Sequence, residues 1–473
     1  MLLKSAYTGV AASLIDGKTT HTIGMISQSG RPMSEATKAK LQQFWKHYVY
    51  LVIDEYSMLA KSFIAKLSRN IGIGKETGGS SGSSDSFGGI HIILCGDLHQ
   101  FPPVAKAVSE ALYYPINLAT DSTDAQVGRM IYEEFNTVVI LREQLRVTDQ
   151  VWHDFLQHLC YGRVQPHHVD MLRTLLVRNP QPKPIDFDTP PWDEVSLVTP
   201  RHAVRKLWNE AAVRKHCHRT GRQLYICTAE DRIRDRSLTL AERYAVANRN
   251  YADFESTTGR KKRRHDLLEV VELAVGMKVM VTQNVETDLD VTNGARGEIV
   301  DIILDPDEPP VGNEPTIKLK CLPAYILVKL TRTRATKLDG LQGGVIPVEV
   351  TSKTFQISVL VGGKYQKRTV HRRQFPITAA YSFTDYRSQG QTIPYVLVDI
   401  AQPPTGTLSL FNLYVALSRS SGRDSIRLLR DFDEGHFQRS HDTYLMDEDD
   451  RLEKLDRITK DWWTRMRAQV GSD

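Results

Sequence analysis

The chain has 473 residues, 41% hydrophobic and 25% charged, a length and texture that call for roughly two to four globular domains rather than one. Lysine and arginine (61) against aspartate and glutamate (56) leave a net charge of +5, which permits a nucleic-acid partner without requiring one. No apolar run reaches the ~18 residues of a membrane span, and the five cysteines (Cys95, Cys160, Cys217, Cys227 and Cys321) are scattered and odd in number, which suits a reducing intracellular compartment rather than a disulfide scaffold.

In chain order, Met1-Leu2-Leu3-Lys4-Ser5-Ala6 lacks a secretory core and reads as the middle of a strand, as though a segment once preceded it. Residues 1–150 alternate short apolar runs with helix-like stretches, the pattern of a parallel sheet, with strands expected near 2–7, 49–53, 90–95 and 137–141. Gly72 to Gly89, rich in Gly and Ser, reads as a flexible surface loop. A Pro-rich linker from Asn179 to Pro191 leads to a strand over Val195–Pro200 and a helix over Ala203–His216, which open a second α/β domain at 151–272. Its polar tract, Arg222 to His265, ends in the basic run Arg260-Lys261-Lys262-Arg263-Arg264. That run reads equally as a solvated loop, a phosphate-backbone contact or a nuclear import signal. Residues 273–373 turn β-rich, with Asn293-Gly294 and Gly362-Gly363 as hairpin turns, and predict a small inserted barrel. The second domain resumes over 374–440 with a strand at Tyr395–Ile400, and 441–473 form a helical tail with a closing helix over 447–468.

Two strand ends carry chemistry. Leu51-Val52-Ile53 runs into Asp54-Glu55, and Ile92-Ile93-Leu94-Cys95 runs into Gly96-Asp97-Leu98-His99-Gln100. Ligand sites of open α/β sheets lie at such carboxyl ends. A carboxylate there can hold a water of Mg²⁺, and its neighbour can deprotonate an attacking water. A Gln on a Pro-braced loop can sense a γ-phosphate. Taken singly, each is an ordinary exposed turn. Gly17-Lys18-Thr19 and Gly74-Lys75 imitate a phosphate loop, but Ala12 stands where the first requires Gly and Glu76 replaces the hydroxyl of the second. His216-Cys217-His218 reads as a solvated helix end, since adjacent side chains do not converge on one ion. Arg146 and Arg419 each close a patterned segment, Gln144-Leu145-Arg146 and Tyr414-Val415-Ala416-Leu417-Ser418-Arg419.

In order and spacing these segments resemble the Pif-type DNA helicases of superfamily one, including the helicase region of Helitron transposons. The resemblance is carried by Thr8-Gly9-Val10-Ala11-Ala12 with Gly17, Thr19 and His21, by Asp54 to Met58, and by Phe87-Gly88-Gly89 through Val104. Gln144 to Arg146, Asn293-Gly294, Gln374-Phe375-Pro376, Ser388 to Thr392 and Tyr414 to Arg419 complete it over roughly residues 5–430. It implies an α/β fold of two RecA-like parallel-sheet domains with a small SH3-like β-barrel inserted in the second. It implies ATP and Mg²⁺ as cofactors, single-stranded or forked DNA as partner, no membrane, a nuclear location, and 5′-to-3′ translocation.

By the same resemblance Asp54 would hold Mg²⁺ through water and Glu55 would be the general base. Gln100 would sense the γ-phosphate, Arg146 and Arg419 would be arginine fingers, and Gly390 and Gln391 would border the nucleotide. Thr8, Gly9, His21, Thr384, Arg387, Ser388 and Gln389 would lie along DNA. Two departures stand out. Arg387 replaces the family's Lys before Ser-Gln-Gly, and Arg is not a simple replacement for Lys. The 473 residues contain no G-x-x-x-x-G-K-[ST] run, so the expectation is a truncated, inactive copy that neither hydrolyses ATP nor unwinds DNA, or a DNA-binding remnant of a transposon-encoded helicase.

Overall fold

The computed structural model describes residues 1–26, 33–76, 85–103, 107–179, 185–255, 267–283, 291–333, 337–404 and 406–470. The basic run Arg260 to Arg264 and Val104 lie outside the described residues. The chain divides into two compact units, Met1–Arg205 with Ser382–Asp473, and Lys206–Tyr381.

The first unit holds two parallel four-stranded sheets. One runs in the order Lys18–Thr19, Leu2–Ala6, Tyr50–Asp54, His91–Leu94. Its register places Ala6 beside Asp54 and Ile53 beside Leu94, so the first, third and fourth strands in sequence end at one edge. Leu3, Leu51 and Ile53 are buried with helix residues Leu41, Trp45, Ile64, Leu67 and Ile71, which is why alternating strands and helices of this composition close into one core. The helices Lys61–Lys75 and Thr123–Glu133 cross closely at Gly128, where a Cβ would lie 1.8 Å from the Lys61 carbonyl oxygen. The other sheet runs Ser382–Phe383, Ser196–Val198, Val396–Val398, Ile426–Leu428, all parallel. Its core gathers Val198, Val396, Val398, Ile426 and Leu428 with Trp152, Phe155 and Leu159 of the helix Gln150–Cys160.

Two expectations fail here. Residues 137–141 are not a strand: the Val138 and Ile140 amides donate to Thr459 Oγ1 (3.1 Å) and Asp456 Oδ1 (2.9 Å) of the closing helix, Thr443–Val470. Side chains of that helix satisfy the backbone where a neighbouring strand would have done so. Gly72 to Gly89 is not one loop either, since the helix runs on to Lys75 and Ser86–Gly89 forms a 3₁₀ turn with Phe87 buried.

The second unit is mostly antiparallel. A five-stranded sheet runs Val345–Val348, Tyr325–Leu330, Arg296–Ile303, Lys278–Val281, Ile377–Ala379. Thr351–Val361 and Lys364–Gln374 form a long hairpin closed at Gly362-Gly363, both at positive φ as a tight primed turn requires. The β-rich stretch is not confined to 273–373: Leu224–Thr228 pairs with Val270–Leu273 and Thr316–Lys318, and Glu230–Ile233 pairs with Lys364–Gln374. The helix expected at Ala203–His216 runs over His202–Thr220, and the second half of the polar tract folds as the helix Leu240–Glu255.

Candidate active site

The site lies in the first unit, at the carboxyl edge of the Leu2–Ala6, Tyr50–Asp54 and His91–Leu94 strands. Asp54 ends its strand half-buried, and its Oδ1 accepts the Glu55 amide at 2.9 Å. Glu55 then takes a left-handed backbone (φ 55°, ψ 44°), which non-glycine residues seldom adopt and which tends to persist where function requires it. This turn buries the Glu55 side chain, 8% exposed. Its Oε2 accepts from Gln389 Nε2 at 2.8 Å, a residue that follows the other parallel sheet. Burial pushes the Glu55 carboxyl up and the Gln389 bond opposes it; Asp54 and Asp97 push it further up and Arg419 pulls it down. Asp54 is also raised, by burial. A base above the ordinary carboxylate range, held by one donor, suits proton abstraction from water.

Asp97 folds the neighbouring turn from inside. Its Oδ1 accepts the His99 amide (2.9 Å), its Oδ2 the Gln100 Nε2 (3.4 Å), and its carbonyl the Gln100 amide (3.1 Å). The Gln100 Oε1 and Gln389 Oε1 atoms are buried with no partner among the described residues, two acceptors suited to an entering water or hydroxyl.

Arg419 is 1% exposed and its donors are engaged. Nε reaches Val415 O (2.7 Å), Nη1 reaches Ser388 O (3.3 Å) and Gln391 O (3.1 Å), and Nη2 reaches Ser418 Oγ (2.8 Å). Burial, then the Arg146 charge, lowers its pKa to about 10, so it stays cationic. Arg419 thus clamps the Ser388–Gln391 backbone, while half-exposed Arg146 lies nearby with Nη1 3.5 Å from Ser418 O. Gly390, at φ 74°, passes so close to Glu55 that a Cβ would lie 3.4 Å from Oε1, and Gln391 Nε2 donates back to Arg387 O at 3.0 Å.

The residues assigned to DNA divide. Thr8 caps the helix Gly9–Leu14 with Oγ1 accepting the Ala11 amide at 3.2 Å, half-buried at the first strand's end with Gly9. The His21 ring is half-buried beside Phe63 (4.7 Å) and Tyr7 (5.2 Å), and burial lowers its pKa. Thr384 precedes the short helix Asp385–Ser388 and, like Arg387, is half-buried. Ser388 and Gln389 are turned inward instead: Ser388 Oγ donates to Asp385 O (2.7 Å), and the Gln389 amide serves Glu55. Gln389 therefore touches Glu55 rather than the surface.

Motif reading missed several residues. Arg205 sits by Arg387; burial, then that like charge, lowers its pKa, and its Nε is buried without a partner among the described residues. Asp97 had a signal in the Asx turn of Gly96 to Gln100; Arg205 had none. A trio, Asp154, His167 and His168, brings ligand atoms within 4.8 Å of one another. His168 Nδ1 accepts the Gln165 amide (3.2 Å) and Nε2 faces Asp154 Oδ2 (2.9 Å), so this bonding assigns the ring proton to Nε2 and leaves no lone pair for an ion. The phosphate-loop imitations stay imitations: Lys18-Thr19 is a strand, and Lys75 Nζ donates to Tyr48 O (2.9 Å) and Trp45 O (3.2 Å).

The family model for PIF1-like helicases matches residues 1–131. The ATP-dependent DNA helicase PIF1 of Danio rerio is 25% identical over 462 residues, covering 95% of this chain and 57% of its own length. The ATP-dependent DNA helicase RRM3 of Saccharomyces cerevisiae is 22% identical over 477 residues, covering 91% of this chain and 58% of its own length. The crystal structure of Pif1 helicase from Candida albicans superposes with a TM-score of 0.60 at 22% identity, covering 95% of this chain and 88% of that one.

Over residues 1–131 the chain is similar to the PIF1-like helicases.

The Bacteroides Pif1 structure bound to single-stranded DNA superposes with a TM-score of 0.57 at 19% identity, covering 94% of this chain and 86% of that one. The two parallel sheets are therefore the RecA-like sheets of the Pif1 fold. The chain spans 57% of the zebrafish relative's length. Among the described residues no helix is long and apolar enough to cross a membrane.

Proposed function

We propose that these residues form the motor of an ATP-dependent DNA helicase that moves 5′ to 3′ on single-stranded DNA. The observation that carries this is the Gln389–Glu55 hydrogen bond (2.8 Å), which ties a segment following one RecA-like sheet to the general base on the other. Glu55 takes the proton of the attacking water at its carboxylate, with Gln389 Nε2 orienting it. Gln100 and Gln389 offer unpartnered carbonyl oxygens that can hold the same water or a phosphate hydroxyl. The donor set fits a magnesium nucleotide: Asp54 supplies a hard oxygen for Mg²⁺, and Arg146 and Arg419 supply cations for developing phosphate charge. Mg²⁺, when bound, would neutralise phosphate oxygens. Arg419 reaches the phosphates after releasing a backbone carbonyl, or acts by holding the Ser388–Gln391 loop.

Arg387 and Arg205, two half-buried like charges, suit a DNA phosphate, and the helix Asp385–Ser388 carries that contact two residues along to Gln389. The relatives' names support ATP and DNA as substrates: ATP-dependent DNA helicase, and Pif1 structures with ADP-AlF3 and single-stranded DNA and with forked duplex DNA. A nuclear location rests on Arg260 to Arg264 and the family. The same reading takes Met1–Arg205 with Ser382–Asp473 as the RecA-like part and Lys206–Tyr381 as the inserted β-rich part.

The missing G-x-x-x-x-G-K-[ST] run favours a second reading, in which the 473 residues alone bind DNA without turnover. Strand displacement tests the proposal. This chain joined to a segment bearing a G-x-x-x-x-G-K-[ST] loop should, with ATP, unwind a duplex bearing a 5′ single-stranded tail and leave one bearing only a 3′ tail intact. Displacement of the 3′-tailed duplex alone would contradict the polarity; DNA binding with no displacement of either would leave the second reading.

A further inference from the structure

The closing helix, Thr443–Val470, follows the second RecA-like segment in sequence yet packs on the first: Leu445 is fully buried in the core built around Leu51, Ile53 and Tyr56. Two adjacent carboxylates on it, Glu448 and Asp449, reach the two loops that carry the candidate catalytic residues. Glu448, 3% exposed, accepts the Tyr132 hydroxyl at Oε1 (2.8 Å). The Tyr132 ring in turn stacks on that of Tyr56, the residue after Glu55, with centroids 6.4 Å apart. Arg451 donates to both Glu448 oxygens (3.0 and 2.8 Å) and lies over the Tyr132 ring, so this carboxylate is itself held in place. Asp449 meets His99 Nε2 with both oxygens (2.9 and 3.1 Å), and His99 precedes Gln100.

His99 is 5% exposed, packed against Tyr161 (5.1 Å) and His441 (4.9 Å), and its Nδ1 has no partner among the described residues. Asp449 is thus the acceptor that anchors the ring, while Asp97 Oδ1 accepts the His99 amide. Burial lowers the His99 pKa, and Asp449, then Asp97 and the Cys160 backbone, raise it, with a net rise; His441, which donates to Cys160 O at 2.8 Å, is itself lowered to about 4, by burial first and then by His99. His441 therefore stays neutral near neutral pH and adds no competing cation.

We propose that the closing helix is a positioning strut for both catalytic loops, with Glu448 acting through Tyr132 and Tyr56 on Glu55, and Asp449 acting through His99 on Gln100. Neither carboxylate touches the reacting atoms; each fixes the residue beside one that does. The arrangement needs the two carboxylates to be neighbours, since one helical segment must face both loops at once. It rests on the motor reading for its meaning but not for its test.

Hydrogen–deuterium exchange on the 473-residue chain reads loop position directly. Asp449→Asn keeps the shape and removes the charge; it should speed exchange at 97–100 by about tenfold and leave 55–58 and the Lys206–Tyr381 unit unchanged. Glu448→Gln should do the converse, and Asp449→Glu should restore most of the protection. In the protein joined to a P-loop, both variants should lower kcat with KM for ATP unchanged. Uniform acceleration throughout the chain, protection unchanged at both loops, or unchanged kcat would overturn the strut. Absence of any Glu55-dependent turnover in the parent protein would overturn the motor reading, while the exchange result would still decide the strut.

Discussion

At the residue scale the decisive group is Glu55. Its carboxyl is raised by burial and in the proposed role acts only when ionised, so turnover should rise with pH through that raised pKa and fall as pH drops below it. Gln389→Leu removes the donor that opposes the rise. The acid limb of the pH–rate profile should then move to higher pH and kcat should fall; an unmoved limb would separate Gln389 from Glu55. Arg387 belongs to the same scale. If it meets one DNA phosphate, Arg387→Ala should weaken single-stranded DNA binding on every sequence alike and reduce the salt slope by about 0.7, as fluorescence anisotropy across a salt series would show. Asp54, Glu55 and Gln100 could be singled out as candidates because they follow apolar strand runs, whereas Asp97 was passed over. The role of Gln389 was not legible, because its partner lies 334 positions away and only folding brings the two together.

At the scale of elements, Gly128 limits how the helices Lys61–Lys75 and Thr123–Glu133 can pack. A Cβ 1.8 Å from the Lys61 carbonyl cannot be absorbed by a side chain, so the backbones must part. Gly128→Ala should cost ~1–3 kcal/mol, read as a lower unfolding midpoint in denaturant; an unchanged midpoint would mean that the crossing is looser than its geometry. Strands were readable where their amides pair with strands, as at Tyr50–Asp54 and His91–Leu94. Residues 137–141 have strand composition but hand their amides to Thr459 and Asp456, a partner that local composition cannot name. The Gly-rich helix end at 72–75 was hidden for a related reason: Gly74 packs where a Cβ would lie 2.7 Å from the Trp45 ring, a tertiary need that outweighs poor helix propensity.

At the scale of the whole molecule, the two RecA-like sheets were foreseen, while the boundaries of the β-rich unit were not. Strands at 224–237 pair into that unit from outside the stretch whose composition announced it. Net charge of +5 is modest, so DNA affinity should come from local clusters such as Arg205 with Arg387 and fall steeply with salt. The measurement that bears most directly on the motor is ATP hydrolysis, with and without single-stranded DNA, by this chain and by this chain joined to a segment bearing a G-x-x-x-x-G-K-[ST] loop, each beside Glu55→Gln. Background turnover is expected of the chain alone, and DNA-stimulated turnover of the joined protein, which Glu55→Gln should abolish while nucleotide and DNA binding persist. Turnover that survives Glu55→Gln, or a joined protein that binds both ligands and hydrolyses nothing, would contradict the motor reading.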